Sequence, residues 1–239
     1  MKIGLIGYGK MGQLIEKIAL QKKHQIVCKG SPRSLFKETP AKTLQEVDVF
    51  IDFSHPEYVL DNIKHVSALK KNLIEGTTGW DVQGAEARTL IEKSQIGFLF
   101  APNFSIGMKL FLNMLLKAAQ LMDAFPDYDV SVMEQHHNQK VDAPSGSAKA
   151  IIKTLIPQIK RKSAVVCNVD RQIAPHELHV ASLRCGSIPG THTVLFDSLA
   201  DSITITHQAR NREGFALGAV TAAEWILGKS GIYSLEDIF

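Results

Sequence analysis

The chain has 239 residues, room for one to two domains at about 150 residues each. Hydrophobic residues make up 45% and charged residues 21%, and the 17 Gly and 9 Pro are scattered without period, which excludes disordered, collagen-like and coiled-coil classes. The 27 basic and 24 acidic side chains leave a formal charge of +3, dispersed along the chain and too small for a nucleic-acid footprint.

The first hundred residues alternate β-rich runs with helical patterns, as successive βαβ units do. Strands are predicted at Ile3 to Ile6, Gln25 to Cys28, Val49 to Phe53, Leu73 to Glu75 and Phe98 to Ala101. Between the first two, Leu14, Ile15, Ile18 and Ala19 recur at helical spacing and form one apolar stripe. Ser54 and Glu57 have the spacing of a capping box, with Pro56 in the first helical turn. The fold class is α/β, with an N-terminal doubly wound parallel sheet. From about Gly107 the pattern changes: a long helix, Met108 to Met122, precedes a strand, Asp129 to Glu134, a polar loop and a helix, Gly146 to Ile156. Four strands then follow in near succession, Ala164 to Val169, His179 to Arg184, Thr193 to Phe196 and Ser202 to Gln208. They predict an α+β domain with a mostly antiparallel open sheet. The last helix, Phe215 to Leu227, is apolar nearly all round and rich in small residues, so burial against the first domain is expected.

No apolar run approaches the roughly 18 residues that span a bilayer, and Met1 to Gly12 is too broken by glycine and Lys10 for a secretion signal. Neither membrane nor nucleic acid is an expected partner. Cys28, Cys167 and Cys185 are far apart and outside metal-ligand spacing, which predicts free thiols in a reducing compartment and a cytoplasmic location.

Gly7-Tyr8-Gly9-Lys10-Met11-Gly12 follows the first strand and opens the first helix. In that setting Gly7 permits the tight turn, Gly9 admits a pyrophosphate to the backbone and Gly12 lets helix and strand pack closely. This is a Rossmann-type dinucleotide loop. After the second strand, where an acid would hold the ribose of NAD, Lys29, Ser31 and Arg33 occur instead. Two cations and a hydroxyl suit a 2'-phosphate, so NADPH is the preferred cofactor, with NADH the alternative. Gly76-Thr77-Thr78-Gly79 and Ala101-Pro102-Asn103-Phe104 end the fourth and fifth strands, on the edge where open α/β sheets bind ligands.

The richest segment runs from Glu134 to Ala148, with His136, His137 and Lys140 in one loop and Ser145-Gly146-Ser147 before a helix. Adjacent imidazoles and an ammonium supply protons and positive charge, and a helix start accepts a carboxylate. Neighbouring histidines without HExxH or a cysteine cluster make a poor chelating set, so no metal is expected.

These residues resemble the dihydrodipicolinate reductase family of bacterial lysine and diaminopimelate synthesis. The family pattern E-x-H-H-x-x-K-x-D-x-P-S-G-T-A aligns with Glu134 to Ala148, Ser147 standing where Thr is usual. The glycine loop, Ile51-Asp52-Phe53-Ser54, both strand-end motifs and the segment from Arg184 to the last helix match as well. The chain departs from the family in a shorter stretch between its second and third strands, and in Lys10 where Arg is common. The resemblance implies a cofactor domain of residues 1–106 and 213–239, and a substrate and tetramerisation domain of residues 107–212. It implies His136 and Lys140 as catalytic proton donors, and His137, Lys140, Gly146 and Ser147 as groups holding a small dicarboxylate substrate in a homotetramer. Hydride and proton transfer require the two domains to approach each other, which predicts closure about a hinge near Gly107 and Arg212. Two rival readings are another Rossmann reductase, aspartate-dehydrogenase-like, and a non-catalytic NADPH sensor. Neither requires His136 and Lys140 together.

Overall fold

A computed structural model of the chain describes residues 1–80 and 84–239 and divides them into two units, Met1–Ile106 with Arg212–Phe239, and Gly107–Asn211. In chain order the first unit contributes β1 (Lys2–Ile6), α1 (Lys10–Gln21), β2 (Gln25–Gly30), the short helices α2 (Leu35–Glu38) and α3 (Ala41–Gln45), β3 (Val49–Asp52), α4 (Val59–Ala68), β4 (Asn72–Glu75), α5 (Ala85–Ser94) and β5 (Gly97–Phe100). α6 (Ile106–Asp123) leads into β6 (Asp129–His136), α7 (Gly146–Leu155), β7 (Ala164–Val166), β8 (Glu177–Arg184), β9 (Thr191–Asp197) and β10 (Ser202–Gln208). The chain then returns to the first unit with α8 (Glu213–Trp225) and β11 (Gly231–Tyr233).

The first sheet is parallel throughout, in the order β11-β5-β4-β3-β1-β2. Its strands read as continuous apolar runs because helices cover both faces. Ile3, Leu5, Val49, Ile51, Ile74 and Leu99 pack with α1 and α8 on one face. Ile6, Phe50, Leu73 and Phe98 pack with α4 and α5 on the other. Each such side chain taken wholly from water contributes about 1.5–3 kcal/mol. The small residues of α8 let it lie close: a Cβ on Gly218 would stand 1.8 Å from the carbonyl oxygen of Phe104. From β1 the chain steps to β2 on one side and later to β3 on the other, so the carboxyl ends of β1 and β3 flank the point where ligands bind in such sheets.

One local expectation fails here, and one strand goes unforeseen. The turn Pro56–Tyr58 is a 3-10 helix whose N-cap is His55, with no side-chain cap. Ser54 joins a tertiary network instead, its hydroxyl 3.4 Å from Asn62 Nδ2 and its N–H donating to Thr77 Oγ1, so no capping box forms. β11, a three-residue strand beside β5, is too short to register as a pattern in the sequence.

The second sheet has the order β10-β9-β6-β8-β7. It is mixed, not mostly antiparallel: β10–β9 and β9–β6 are antiparallel, whereas β6–β8 and β8–β7 are parallel. α7 carries the chain back before β7, so β7 and β8 run with β6, and only β9 runs against the other strands. Val130, Val132, Leu178, Val180, Val194 and Phe196 pack on Phe111 and Leu115 of α6 and Ile151 and Leu155 of α7. The opposite face keeps Met133 and Leu183 exposed. Among the described residues no helix is long and apolar enough to cross a membrane.

Candidate active site

At the edge of the first sheet Gly7 takes φ +85°, and a Cβ there would stand 2.4 Å from the carbonyl oxygen of Phe53. A Cβ on Gly12 would meet the carbonyl oxygen of Gly7 at 2.3 Å, whereas Gly9 has nothing within 4 Å. The three glycines thus divide as the motif requires, two for close packing and one facing open space that a pyrophosphate would fill. Gly9 is the N-cap of α1, which has no side-chain cap and no acid in its first turn, leaving its positive end for an anion. Tyr8 and Met11 are half-buried beside it and Lys10 is exposed.

The two cations after β2 have different settings. Lys29 Nζ is 2.6 Å from Glu16 Oε1 and lies over the Tyr8 ring, and Tyr8 in turn donates to Glu16. Arg33 lines a cavity of about 240 Å³ with Ser31, Pro32, His55, Glu57 and Tyr58, its Nε donating to Tyr58 Oη. The remaining motifs converge on the same edge. Gly76, where a Cβ would strike the Phe53 ring at 2.3 Å, and Gly79, at φ +87°, bracket buried Thr77 and exposed Thr78. Ala101 N–H donates to Glu75 O, Pro102 is exposed, Asn103 Oδ1 accepts from Ser105 N–H, and Phe104 packs on Phe53.

Beneath Thr77 lie two fully buried carboxyl groups, Asp52 and Glu75. Glu75 Oε1 accepts from Thr77 N–H at 2.6 Å, and Asp52 Oδ2 accepts from Asn62 Nδ2 at 2.7 Å. Burial, and then the neighbouring Asp52 charge, push the Glu75 pKa far up. Burial also raises that of Asp52, against hydrogen bonds from Ser54 and Asn62. Glu75 Oε2 faces no donor, and a proton held there and shared with Asp52 satisfies it.

In the second unit, alternation along β6 places Val130, Val132, Glu134 and His136 on its buried face. Register then sets His192 of β9 and Ser182 of β8 beside Glu134, and Arg184 beside His136. Glu134 Oε1 accepts from Ser145 N–H (3.0 Å), Ser182 Oγ (2.7 Å) and Arg184 Nη2 (3.0 Å). Arg184 also binds the carbonyl oxygens of Lys140 and Asp142, and Asn138 N–H donates to Gly186 O. The histidine loop is thereby tied to β8 along its length. His137 is half-buried on it, and Lys140 Nζ lies 2.7 Å from Asp142 Oδ1. Ser145 caps α7 by accepting from Ala148 N–H. At Gly146 a Cβ would meet nothing within 4 Å, with half-buried Ser147 following, so this helix start presents open backbone.

Burial alone would raise the Glu134 pKa, but contacts from His192, Ser145, Ser182 and Arg184 outweigh it and hold the group ionised, well below the usual carboxylate range. Burial lowers the His136 pKa, helped by His192, Lys140 and Arg184 and opposed by Glu134. Glu134, His136 and His192 have ligand atoms within 4.8 Å of one another, a spacing that admits a metal ion. The cations Arg184 and Lys140 nearby oppose one electrostatically. The roles of Glu134, His192, Ser182 and Arg184 escape sequence reasoning because pairing of three separate strands assembles them. Alternation of Glu134 with Val130 and Val132 was the available signal for burial.

Family models described as "Dihydrodipicolinate reductase, N-terminus" and "Dihydrodipicolinate reductase, C-terminus" match residues 1–104 and 107–239. A protein of Christiangramia forsetii named 4-hydroxy-tetrahydrodipicolinate reductase is 39% identical over 241 residues, covering 100% of this chain and 97% of the relative. One of the same name from Neisseria meningitidis is 37% identical over 82% of this chain and 73% of its own length. A dipicolinate-bound dihydrodipicolinate reductase from Paenisporosarcina sp. TG-14 shares the fold with a TM-score of 0.75 at 24% identity, over 100% of this chain and 99% of that one. A probable dehydrogenase from Thermotoga maritima aligns with a TM-score of 0.59 at 10% identity, over 99% of this chain and 92% of the other. With both family models together spanning nearly its whole length, the chain belongs to the dihydrodipicolinate reductase family of NAD(P)H-dependent oxidoreductases.

Proposed function

We propose that the protein reduces 4-hydroxy-tetrahydrodipicolinate to tetrahydrodipicolinate in lysine and diaminopimelate synthesis, in the cytoplasm. The observation that carries this reading is the histidine loop, which gathers His136, His137, Lys140 and an open helix start at Gly146 over a buried, ionised Glu134. Bound NAD(P)H supplies a hydride from the nicotinamide. As the 4-hydroxyl leaves as water and hydride adds, the electron-rich substrate must gain one proton, and His136, with Lys140 as second donor, delivers it. His137, Lys140, Gly146 and Ser147 hold the two carboxylates and so orient the ring.

Gly7 to Gly12 receive the cofactor pyrophosphate. The segments Gly76 to Thr78 and Ala101 to Phe104 receive the nicotinamide and its ribose. NADPH is preferred through Arg33, which lines the cavity beyond β2, with Lys29 contributing only if it leaves Glu16. The open face of the second sheet, where Met133 and Leu183 are exposed, carries the contacts of a homotetramer.

The test is oxidation of NADPH with freshly made substrate. His136→Ala and Lys140→Ala are each expected to lower kcat by about 10² to 10⁴. Undiminished turnover in both variants removes the assignment, and cofactor binding without turnover in the wild type favours a sensor.

A further inference from the structure

His192 of β9 has no part in the reading above, yet its buried ring touches the centre of the second unit. Its Nε2 lies 3.4 Å from His136 Nε2, 3.2 Å from Ser145 Oγ and 3.6 Å from Glu134 Oε2. Glu134 Oε2 is in turn 3.4 Å from His136 Nε2, is fully buried and has no hydrogen-bond partner. The carboxylate cannot swing away, because donors from the histidine loop and from β8 hold its other oxygen. Two facing imidazole nitrogens have room for one proton between them, so the state of one ring sets that of the other. A proton on His136 Nε2 faces both the Glu134 charge and the His192 lone pair. Nδ1 then remains as the nitrogen away from this cluster. A Cβ on Gly190 would stand 2.9 Å from His136 Cε1 and 3.3 Å from Nδ1, so the Gly190 backbone packs against that edge of the ring and a larger residue would crowd it.

We propose that Glu134 and His192 are positioning residues: they grip His136 by Nε2 and leave Nδ1 as the atom that hands the proton to the substrate. This rests on His136 being the proton donor. The doubly protonated ring gives up its Nδ1 proton as the new bond to the electron-rich substrate atom forms. The N–H electron pair stays on Nδ1, and the neutral ring retains Nε2–H against Glu134 until solvent reprotonates Nδ1. Of the charged groups facing His136, Arg184 from β8 and Lys140 from the loop disfavour the imidazolium, and Glu134 is the anion that favours it.

Ring-nitrogen NMR of the intact protein reads the tautomer directly, and steady-state kinetics read its consequence. Neutral His136 is expected as the Nε2–H tautomer in the wild type and as a mixture in His192→Leu. That variant should lose about 10²-fold in kcat, the scale seen when a histidine's orienting group is removed, with substrate KM nearly unchanged. His192→Gln, which returns a polar group near the Nε2 position, should recover most of the loss. Glu134→Gln should resemble His192→Leu; if it fails to fold, the His192 pair still decides. An Nδ1–H tautomer in the wild type, full kcat in His192→Leu, or turnover abolished by a chelator would each overturn the proposal. Full turnover in His136→Ala removes the donor reading alone, since the tautomer measurement does not depend on it.

Discussion

Asp52 and Glu75 end neighbouring strands of the first sheet, and Glu134 lies near the end of β6 in the second; all three are fully buried. In the first unit the carboxyl groups face each other and Asn62, and burial beside Asp52 pushes the Glu75 pKa far up. In the second, an arginine, a hydroxyl, a backbone N–H and two imidazoles surround Glu134, which stays charged. Equal loss of solvent exposure therefore goes with opposite pKa shifts, and the neighbours decide which. The proton-sharing pair ties loops together through Thr77, whereas the ionised group places negative charge against His136. Of these two buried arrangements, the second unit's sets an anion against an imidazole.

Removing Arg184 breaks this contrast most severely. Arg184→Met leaves Glu134 buried without its cation, and a loss of about 3–5 kcal/mol is expected, read from urea unfolding. Arg184→Lys should recover only part, because an ammonium cannot bind Glu134 and two carbonyl oxygens with one planar fork. Unchanged stability in Arg184→Met would show that Glu134 does not depend on that cation.

A smaller effect sharpens the other half. Glu75→Gln preserves a neutral donor and acceptor, so stability at neutral pH should stay within about 1.5 kcal/mol of the wild type. The raised Glu75 pKa means that the fold keeps a proton the unfolded chain has released. Its contribution is complete below the ordinary carboxylate range and shrinks as pH climbs toward the folded-state pKa. Glu134 has the opposite sign: its contribution is present above that range and fades as acid protonates it. Urea midpoints across pH should therefore lose their alkaline decline in Glu75→Gln and keep their acid decline. An alkaline decline that persists would mean Glu75 is ionised in the fold.

The thiols give the mildest test of how the two units treat buried ionisable groups. Burial pushes the Cys28 thiol up to about 11, whereas Cys185 is exposed in the loop after β8. Brief alkylation of the folded protein near pH 8, followed by mass spectrometry, should mark Cys185 and spare Cys28. Equal labelling would contradict the packing around β2.

Much of this molecule is legible in its sequence wherever the signal is local. Gly7 to Gly12 and the strands around them are read from spacing, since turn, strand and helix lie within a few residues of one another. His136, His137 and Lys140 are read from one loop and the family pattern it carries. What sequence reasoning misses is set by pairing. Parallel runs of β6, β7 and β8 depend on α7 reversing the chain, which successive strand patterns do not reveal. His192 lies 56 residues from His136 within a plain Thr-His-Thr strand, and only the β6–β9 register makes them neighbours. Ser54 has the spacing for a cap but finds a better partner across the sheet edge.

The return of the chain through α8 and β11 has a consequence for synthesis. A growing polypeptide that ends at Asn211 has every residue of the second unit but lacks the helix that covers Ile51, Ile74 and Leu99. At about 5–20 residues per second, that side of the earlier-made sheet stays wet for the seconds needed to translate the rest. The portion begun first is thus completed last, and chaperones that recognise exposed β surface would find their target there.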